Sequence, residues 1–275
     1  MKIDAHQHFW KYNEVRDSWI TDDMAVIQRN FLPEDFRPLL PINNLDGSVV
    51  VQSDQSKEEN IFQLANGLQH DFIKGVVGWV DLEADDVSDH LAHYQEFKKM
   101  KGFRHVLQGE KQRDYMLRPN FKRGIGKLKE YGYTYDILIH TDQLKYTIDF
   151  VSSFPEQPFV LDHLAKPLIK DRQIDSWKKE IEILASFENV YCKVSGMVTE
   201  ADWKNWTSDD FTPYLDVVAN SFGAKRLLFG SDWPVCLVAA SYQQVFELAR
   251  DYFSKYSKDE QELIFGTNAV RFYNL

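Results

Sequence analysis

Two histidines separated by one residue lie near the start of the chain, in the segment Asp4-Ala5-His6-Gln7-His8. Residues i and i+2 of a β-strand point to the same side, so the spacing predicts that Asp4, His6 and His8 share one side. Neutral imidazole binds divalent metals and polarises carbonyl groups. An HxH pair is a weak motif by itself, and it fits equally well two histidines packed at a strand end.

Further ionisable side chains follow other apolar, β-branched runs of the chain. They are Arg104, His105, His140, His163 and Asp232. Several buried histidines without a shared partner would be costly. Their recurrence at predicted strand ends therefore indicates one shared site.

The two-residue period of a strand also predicts which of these side chains point inward. It places His163 on the face of Phe159 and Leu161, and it leaves Asp162 on the opposite face. We therefore expect His163 to lie in the site and Asp162 to lie outside it.

The same period groups Asp232 with Gly230 on the inner face of the last predicted strand. Because neighbouring residues of a regular strand point to opposite faces, Arg104 and His105 cannot both point inward while their strand stays regular. Either one of the two is structural, or the strand has ended before them.

Eight short apolar runs bounded by turn residues predict eight strands, at residues 2–8, 47–52, 73–80, 102–107, 135–140, 159–163, 190–195 and 227–232. Helical periodicity fills the stretches between them, for example at residues 143–154, 175–187 and 241–255. Strands that alternate with helices pair in parallel, so eight units predict a (β/α)8 TIM barrel. A doubly wound Rossmann sheet is disfavoured, because no GxGxxG segment follows the first strand.

One connection, residues 9–46, is unusually long and rich in aromatic side chains, namely Trp10, Tyr12, Trp19, Phe31 and Phe36. Active sites of barrels lie at the C-terminal ends of the strands, where long connections form lids or binding walls. We therefore expect residues 9–46 to cover part of the site.

The composition narrows the class of protein. A chain of 275 residues without a Gly, Pro or Ser linker predicts a single domain over residues 1–275. The formal net charge of −10 disfavours nucleic acid and anionic membranes as partners, which leaves a small-molecule substrate. Two cysteines, no apolar signal segment and no long apolar run predict a protein of the cytoplasm.

Five segments in order along the chain resemble a known family. They are DAHQHFW, GFRHVLQGE, FVLDHLAKP, LLFGSDWP and GTNAVRFYNL. Together they look like the amidohydrolase-related family of the amidohydrolase superfamily, in its branch of sugar lactonases similar to L-fuconolactonase and L-rhamnonolactonase. The similarity extends over essentially the whole chain and implies a hydrolase with a barrel fold.

The resemblance implies roles for particular residues. It implies a catalytic centre of His6, His8, His163 and Asp232. It further implies contacts to the substrate from Arg104, His105, Gln108, Lys166 and Trp233. The alternative interpretation stays open for three of these, because Arg104 and Lys166 also fit paired charges and Trp233 also fits hydrophobic packing.

Lactone hydrolysis needs an activated water, a polarised carbonyl and a proton for the departing ring oxygen. Asp232 is the predicted base, and the histidines are the predicted donors. Two versions stay open: the side chains act without a metal, or one divalent ion, with zinc preferred, is held by His6, His8, His140 and Asp232. A second metal is disfavoured by Arg104, whose charge would repel it.

Two other functions compete with lactone hydrolysis. A metal-dependent decarboxylase of the same superfamily would share the histidines and the aspartate. A sugar-acid binding protein without turnover would keep the tryptophans but not need every ionisable group. Among lactones, a neutral sugar lactone is favoured by the polar residues near predicted strand ends, namely Asp54, Gln55, Gln108, Glu110, Arg113, Asp114 and Lys166, since only Arg104 and Arg113 are arginines suited to a dicarboxylate.

Overall fold

The computed structural model describes the whole chain, from Met1 to Leu275. Its eight strands form one parallel sheet in which neighbours along the chain are neighbours in space. The strands are β1 (Ile3–Gln7), β2 (Gly47–Val51), β3 (Ile73–Gly78), β4 (Met100–His105), β5 (Thr134–Ile137), β6 (Phe159–Leu161), β7 (Val190–Val194) and β8 (Leu227–Phe229). The predicted (β/α)8 barrel is confirmed, with strands near all eight predicted positions.

Helices alternate with the strands as the periodicity predicts. The α-helices are α1 (Pro33–Phe36), α2 (Leu39–Ile42), α3 (Lys57–Gln69), α4 (Val87–Tyr94), α5 (Pro119–Leu128), α6 (Leu144–Ser152), α7 (Asp175–Ala185), α8 (Ser208–Phe222), α9 (Tyr242–Phe253), α10 (Lys258–Glu262) and α11 (Asn268–Tyr273). Short 3₁₀ helices span Asp22–Ile27, Leu107–Gly109, Tyr115–Leu117, Lys129–Tyr131, Thr141–Gln143, Val198–Glu200, Ala224–Arg226 and Val235–Val238, a left-handed turn spans Asp162–Ala165, and a π-helix spans Leu263–Thr267. None of these helices has the length and apolar character that a membrane crossing requires.

Local sequence explains where the helices begin. Ser241 precedes α9, and its hydroxyl oxygen accepts a hydrogen bond from the backbone N–H of Gln244 at 3.2 Å. The side chain of Gln244 in turn accepts from the backbone N–H of Ser241 at 2.9 Å. This capping box satisfies donors that a helix start leaves free.

The ends of the sheet meet beside the first histidines. Gln7 of β1 pairs in parallel with Trp233, which follows β8. The backbone N–H of His8 donates to the carbonyl of Trp233 at 2.7 Å, and that of Asp232 donates to the carbonyl of His6 at 2.8 Å. Closure of the barrel therefore brings the carboxyl ends of β1 and β8 together.

Apolar side chains fill part of the barrel interior. Those in contact there are Ile3, Ala5, Val49, Val51, Val77, Val160 and Leu228, together with Phe272 and Tyr273 of α11. A larger apolar cluster fills the space between the strands and the surrounding helices. The carboxyl ends of the strands are left for polar side chains.

The long connection of residues 9–46 folds back on itself. Trp10 and Phe31 exchange two backbone hydrogen bonds of 2.9 Å, which makes an antiparallel bridge. The ring of Phe31 packs edge-on against Trp10 at 5.5 Å and against Trp233 at 5.2 Å. These contacts hold the connection over the end of the barrel where β1 and β8 meet.

Two glycines of α5 allow a matched test of the packing between helix and loop. A methyl group at Gly124 would lie 2.1 Å from the carbonyl oxygen of Leu82, whereas one at Gly126 would meet only Phe154, at 3.7 Å. We expect Gly124→Ala to lower the free energy of unfolding by about 1–3 kcal/mol through overpacking. Gly126→Ala should raise it by about 0.4–1 kcal/mol. Urea unfolding measures both, and equal effects of the two substitutions would contradict this packing.

Candidate active site

A β-bulge in the first strand determines where its side chains point. Asp4 pairs with Ser48 and Gln7 pairs with Val50, so β1 has one residue more than β2 between these pairs. A bulge of this kind reverses the alternation of side chains along the strand. As a result His6 points into the barrel and Asp4 does not.

The carboxylate of Asp4 has a structural environment instead. It accepts hydrogen bonds from the hydroxyl of Tyr242 at 3.0 Å and from the backbone N–H groups of Ser231 and His6 at 3.0 and 3.1 Å. The prediction that Asp4 shares a side with His6 and His8 is therefore wrong. A bulge inside a five-residue strand leaves no mark in the hydrophobic pattern.

His8 is oriented by the neighbouring strand. Its Nδ1 lies 2.8 Å from the carbonyl oxygen of Val51. A carbonyl only accepts, so Nδ1 carries the proton and Nε2 presents a lone pair. That Nε2 lies 3.2 Å from Nε2 of His6 and 3.3 Å from the Asp232 carboxylate.

Asp232, which follows the last strand, lies beside His6 and His8. It follows β8 and has a left-handed backbone with φ of 57°. Two residues earlier, a methyl group at Gly230 would lie 2.7 Å from Cβ of His6, so only glycine fits this approach. Asp232 and Gly230 thus both face the interior, as the alternation predicts.

Asp162 lies inside the site, contrary to expectation. Val160 packs in the barrel interior while Phe159 and Leu161 face the helices, so the inward face of β6 is the opposite of the one predicted. Asp162 accordingly points inward, and its carboxylate lies 3.3 Å from Nδ1 of His6. The error arises because both faces of this strand are apolar.

His163 also reaches the site, but by a different route. The strand ends at Leu161, and residues 163–166 all have positive φ, with 53° at His163. This left-handed turn swings the imidazole inward. Its Nδ1 lies 2.9 Å from the hydroxyl of Ser195, and its Nε2 lies 3.8 Å from the carboxylate of Asp232.

Arg104 is the inward residue at the end of β4. Its guanidinium donates to the carbonyl of Gln52 at 2.5 Å and to the carboxylate of Asp162 at 3.1 Å. It also lies 3.3 Å from Nε2 of His6. Of the two interpretations for this strand, the regular strand with one inward residue applies.

His105 points away from the site, between β4 and the surrounding helices. Its Nε2 lies 2.8 Å from the carboxylate of Glu110, and the indole N–H of Trp79 donates to Nδ1 at 3.4 Å. The ring stacks on Tyr115 at 5.2 Å. The structure therefore does not place His105 against a substrate.

His8, Arg104, His163 and Asp232 open onto a cavity of about 360 Å³ at the carboxyl ends of the strands. It is lined by His8, Trp10, Arg16, Trp19, Ser53, Asp54, Gln55, Arg104, Val106, Gln108, Gly109, Leu138, His163, Lys166, Asp232 and Val235. Gln108 and Lys166 are thus among the residues that line the cavity. Lys166 is held by Glu200, 3.5 Å away.

Four residues predicted for the site are absent from this lining, namely His6, which is fully buried, His105, Trp233 and His140. Trp233 is buried and packs against Phe31 and Phe36, with ring centroids 5.2 and 5.1 Å away. His140 is exposed and follows β5 at the rim. The donor cluster around His6 therefore does not include His140.

The long connection contributes Trp10, Trp19 and Arg16 to the lining, and of these only Arg16 is not indicated by the sequence pattern. Trp19 and Arg16 line the cavity, and Trp19 is about half exposed, at 44%. Two hydrogen bonds of 2.8 and 2.7 Å from Arg16 to the buried carboxylate of Asp17 hold its guanidinium in place. The length and aromatic content of residues 9–46 indicate a wall, but no pattern marks which side chains face inward.

Comparison with known proteins agrees with this arrangement. The profile of the amidohydrolase family matches residues 3–275. The chain belongs to the amidohydrolase family. The prediction of this family, and of a hydrolase, is thereby confirmed.

Several relatives of this amidohydrolase are similar over its full length. An L-fucono-1,5-lactonase of Burkholderia multivorans is 37% identical over 100% of this chain and 96% of its own. A second L-fucono-1,5-lactonase, of Burkholderia ambifaria, is 32% identical over the same shares. A crystal structure of an amidohydrolase from Burkholderia multivorans with bound zinc superposes with a TM-score of 0.97 at 36% identity, covering 100% of this chain and 99% of that one.

Beneath the site of this amidohydrolase lies a group of charges that sequence reasoning missed. Lys193 of β7 and Asp136 of β5 are fully buried, and their Nζ and Oδ2 atoms are 2.5 Å apart. Lys193 also lies 3.0 Å from the carboxylate of Asp162, and Tyr273 donates to Asp136 at 2.8 Å. A charged residue in the middle of an otherwise apolar strand, as in the segment VYCKV, is the signal that could have identified them.

Protonation states follow from this environment. Burial opposes the charge of Asp162, but Lys193 and His6 lower the pKa of its carboxyl well below the usual range. The pKa of Asp232 is also lowered against the effect of burial, by His163 and by a hydrogen bond with His8. Burial lowers the pKa of His163 to about 4. At neutral pH the site therefore combines ionised carboxylates with a neutral His163.

The donor atoms fit one divalent metal. His6 Nε2, His8 Nε2 and Asp232 Oδ1 are separated by 3.2, 3.3 and 3.8 Å. Ligands at about 2.0–2.1 Å in a tetrahedron around zinc lie about 3.3 Å apart. The hydrogen bond from Nδ1 of His8 to Val51 leaves the other nitrogen free as a ligand. Three protein ligands would leave a position for water or substrate, as in catalytic metal sites.

Proposed function

We propose that this chain, as a single domain of residues 1–275, hydrolyses the lactone ring of a sugar acid, an aldonolactone such as L-fucono-1,5-lactone. The observation that carries the proposal is the ionised Asp232 beside the imidazoles of His8 and His163 at the bottom of a polar cavity. The two L-fucono-1,5-lactonases that match the full length of the chain support the substrate class.

In the proposed reaction Asp232 holds the attacking water. The water oxygen bonds to the carbonyl carbon as its proton passes to the carboxylate of Asp232, and the carbonyl electron pair moves onto its oxygen. The low pKa of Asp232 keeps the carboxylate ionised to accept this proton. The low pKa also makes Asp232 a weak base. Stabilisation of the developing charge must therefore supply much of the rate acceleration.

Two further side chains serve the developing charges. The guanidinium of Arg104 borders the cavity and stabilises the oxyanion. His163 lies 3.8 Å from Asp232. It is positioned to receive from Asp232 the proton that the water gave up, and to pass it to the ring oxygen as the carbon–oxygen bond breaks. The products are one carboxyl and one hydroxyl group, so water has been added across the ring bond.

We further propose that His6, His8 and Asp232 bind zinc. The spacing of their donor atoms and the zinc-bound relative from Burkholderia multivorans support this assignment. When bound there, zinc supplies a Lewis acid that polarises the carbonyl and lowers the pKa of a coordinated water. His140, proposed from the sequence as a further ligand, is not retained because of its exposed position.

The charges around the cavity favour a neutral substrate. Arg16 is paired with Asp17, and Arg104 with Asp162. Arg113 does not line the cavity and pairs with Asp142 at 2.7 Å. Arginine is the usual bidentate partner of a carboxylate, and the arginines near this cavity are already paired. The hydroxyls of a sugar ring can be bound by the lining residues Asp54, Gln55, Gln108 and Lys166.

For its setting we propose the cytoplasm and a small-molecule partner. Cys192 and Cys236 are buried and not joined in a disulfide, which suits a reducing compartment. The net charge of −10 disfavours nucleic acid and anionic membranes.

Substrate class is tested with a panel of lactones in a pH-indicator assay. We expect turnover of neutral aldonolactones, with L-fucono-1,5-lactone among the best, because the arginines near the cavity are already paired. A pyrone dicarboxylate and a muconolactone are the matched anionic compounds. Turnover of these, with none of the aldonolactones, would show that the substrate class is wrong, and carbon dioxide release from an aromatic acid would favour the decarboxylase.

Replacing the proposed base separates an enzyme from a binding protein. Asp232→Asn should lower kcat by about 10²–10⁴-fold, because it removes the proton acceptor. Asp54→Asn is the matched control, since Asp54 lines the same cavity away from the histidines, and we expect it to raise KM with little change in kcat. Steady-state kinetics measure kcat and KM, and calorimetry with the product acid measures the affinity for the ligand. Unchanged kcat in Asp232→Asn would exclude the proposed role.

The zinc ligands are tested by affinity rather than by activity. Metal-stripped protein is titrated with zinc against a chromophoric chelator. We expect His8→Gln to weaken zinc binding by at least about 100-fold, since it removes one of three ligands. His140→Gln should leave the affinity unchanged, because His140 lies outside the cluster. Equal losses in both variants would contradict the assignment.

A further inference from the structure

Lys193 lies directly below the site, where its ammonium group is hydrogen-bonded to two side chains and forms an ion pair with a third. Its Nζ is 2.5 Å from Asp136 Oδ2, 3.0 Å from Asp162 Oδ1 and 3.0 Å from His6 Nδ1. The side chain is fully buried, so no bulk solvent can replace a lost partner. An ammonium group donates three hydrogen bonds and accepts none. The hydrogen bond to His6 is therefore made only if Nδ1 of His6 carries a lone pair.

A neutral His6 that accepts at Nδ1 carries its proton on Nε2. That proton points toward Nε2 of His8, 3.2 Å away. This nitrogen of His8 is an acceptor, because its Nδ1 donates to the carbonyl of Val51. The four groups then form one chain of donors and acceptors, from Lys193 through His6 and His8 to Val51. Its one unfavourable contact is the guanidinium of Arg104, 3.3 Å from Nε2 of His6.

The opposite tautomer of His6 is satisfied differently. A proton on Nδ1 would face the carboxylate of Asp162 at 3.3 Å, and Nε2 then accepts from Arg104 at 3.3 Å. However, this proton faces the ammonium of Lys193 at 3.0 Å, and two lone pairs face each other across the 3.2 Å between His6 and His8. A cation bound by both nitrogens would remove the second conflict.

We infer that Lys193 is a positioning residue that holds His6 with its proton on Nε2 while no metal is bound. Zinc at His6, His8 and Asp232 then requires the proton to move from Nε2 to Nδ1, where Asp162 accepts it. The number of protons on the ring does not change. Lys193 therefore opposes metal binding and keeps a hydrogen-bond donor at the site, whereas Asp162 supports the metal-bound form. Only the metal-bound half of this inference rests on the zinc site proposed above.

Ring-nitrogen NMR of the wild-type protein tests the first half without any substitution. Histidines labelled with ¹⁵N are recorded in metal-stripped protein, and His6→Gln identifies the signals of His6 by their loss. We expect His6 to be protonated on Nε2 and His8 on Nδ1. Addition of zinc should move the proton of His6 to Nδ1. A proton on Nδ1 of His6 in the metal-free protein would overturn the role of Lys193.

Zinc affinity tests the effect of the lysine charge. Lys193→Met alone would leave the buried carboxylate of Asp136 without its cation and destabilise the fold, so it is combined with Asp136→Asn. The matched control is Asp136→Asn alone, which keeps Lys193 beside His6 and Asp162. We expect the double variant to bind zinc about 10- to 100-fold more tightly than this control, the range typical of residues behind a ligand.

Equal or weaker zinc binding in the double variant would contradict the inference. If the double variant does not fold, the tautomer of His6 in the wild-type protein still decides the first half. Neither measurement uses a lactone, so both outcomes are independent of whether the chain hydrolyses one.

Discussion

The ammonium group of Lys193 lies between the carboxylates of Asp136 and Asp162 inside the barrel, and the catalytic half of the molecule is built above this ion pair. A single buried charge costs several kcal/mol, so each member is tolerated only because the others are present. Asp162 in turn pairs with Arg104 and contacts His6. Charges from β4, β5, β6 and β7 thereby hold the first-strand histidine in one position.

Irregular backbone at strand ends does the remaining positioning. The bulge of β1 turns His6 inward, and left-handed residues turn His163 and Asp232 toward it. Conformations of this kind are uncommon outside glycine and are often concentrated at functional sites. The barrel provides regular strands up to the site, and the site begins where the regularity ends.

The cavity is polar, yet its strongest cations are already neutralised. Arg16, Arg104 and Lys166 each have a carboxylate partner in Asp17, Asp162 or Glu200. A paired guanidinium can still donate a hydrogen bond, but it attracts an anion less strongly than a free one. The cavity is thus suited to hydroxyl-rich ligands.

The sequence by itself determined the barrel and the family, and it put His6, His8, His163 and Asp232 at predicted strand ends, because apolar runs separated by helices are short-range patterns. It also indicated that residues 9–46 form a wall. Only the tertiary structure decided that Asp162 points inward, that His105, His140 and Trp233 do not join the site, and that Lys193 lies beneath His6. The reason is physical: a bulge, a left-handed turn or an inverted face changes the direction of a side chain without changing the apolar pattern, and ion pairs inside a barrel join residues far apart in the chain.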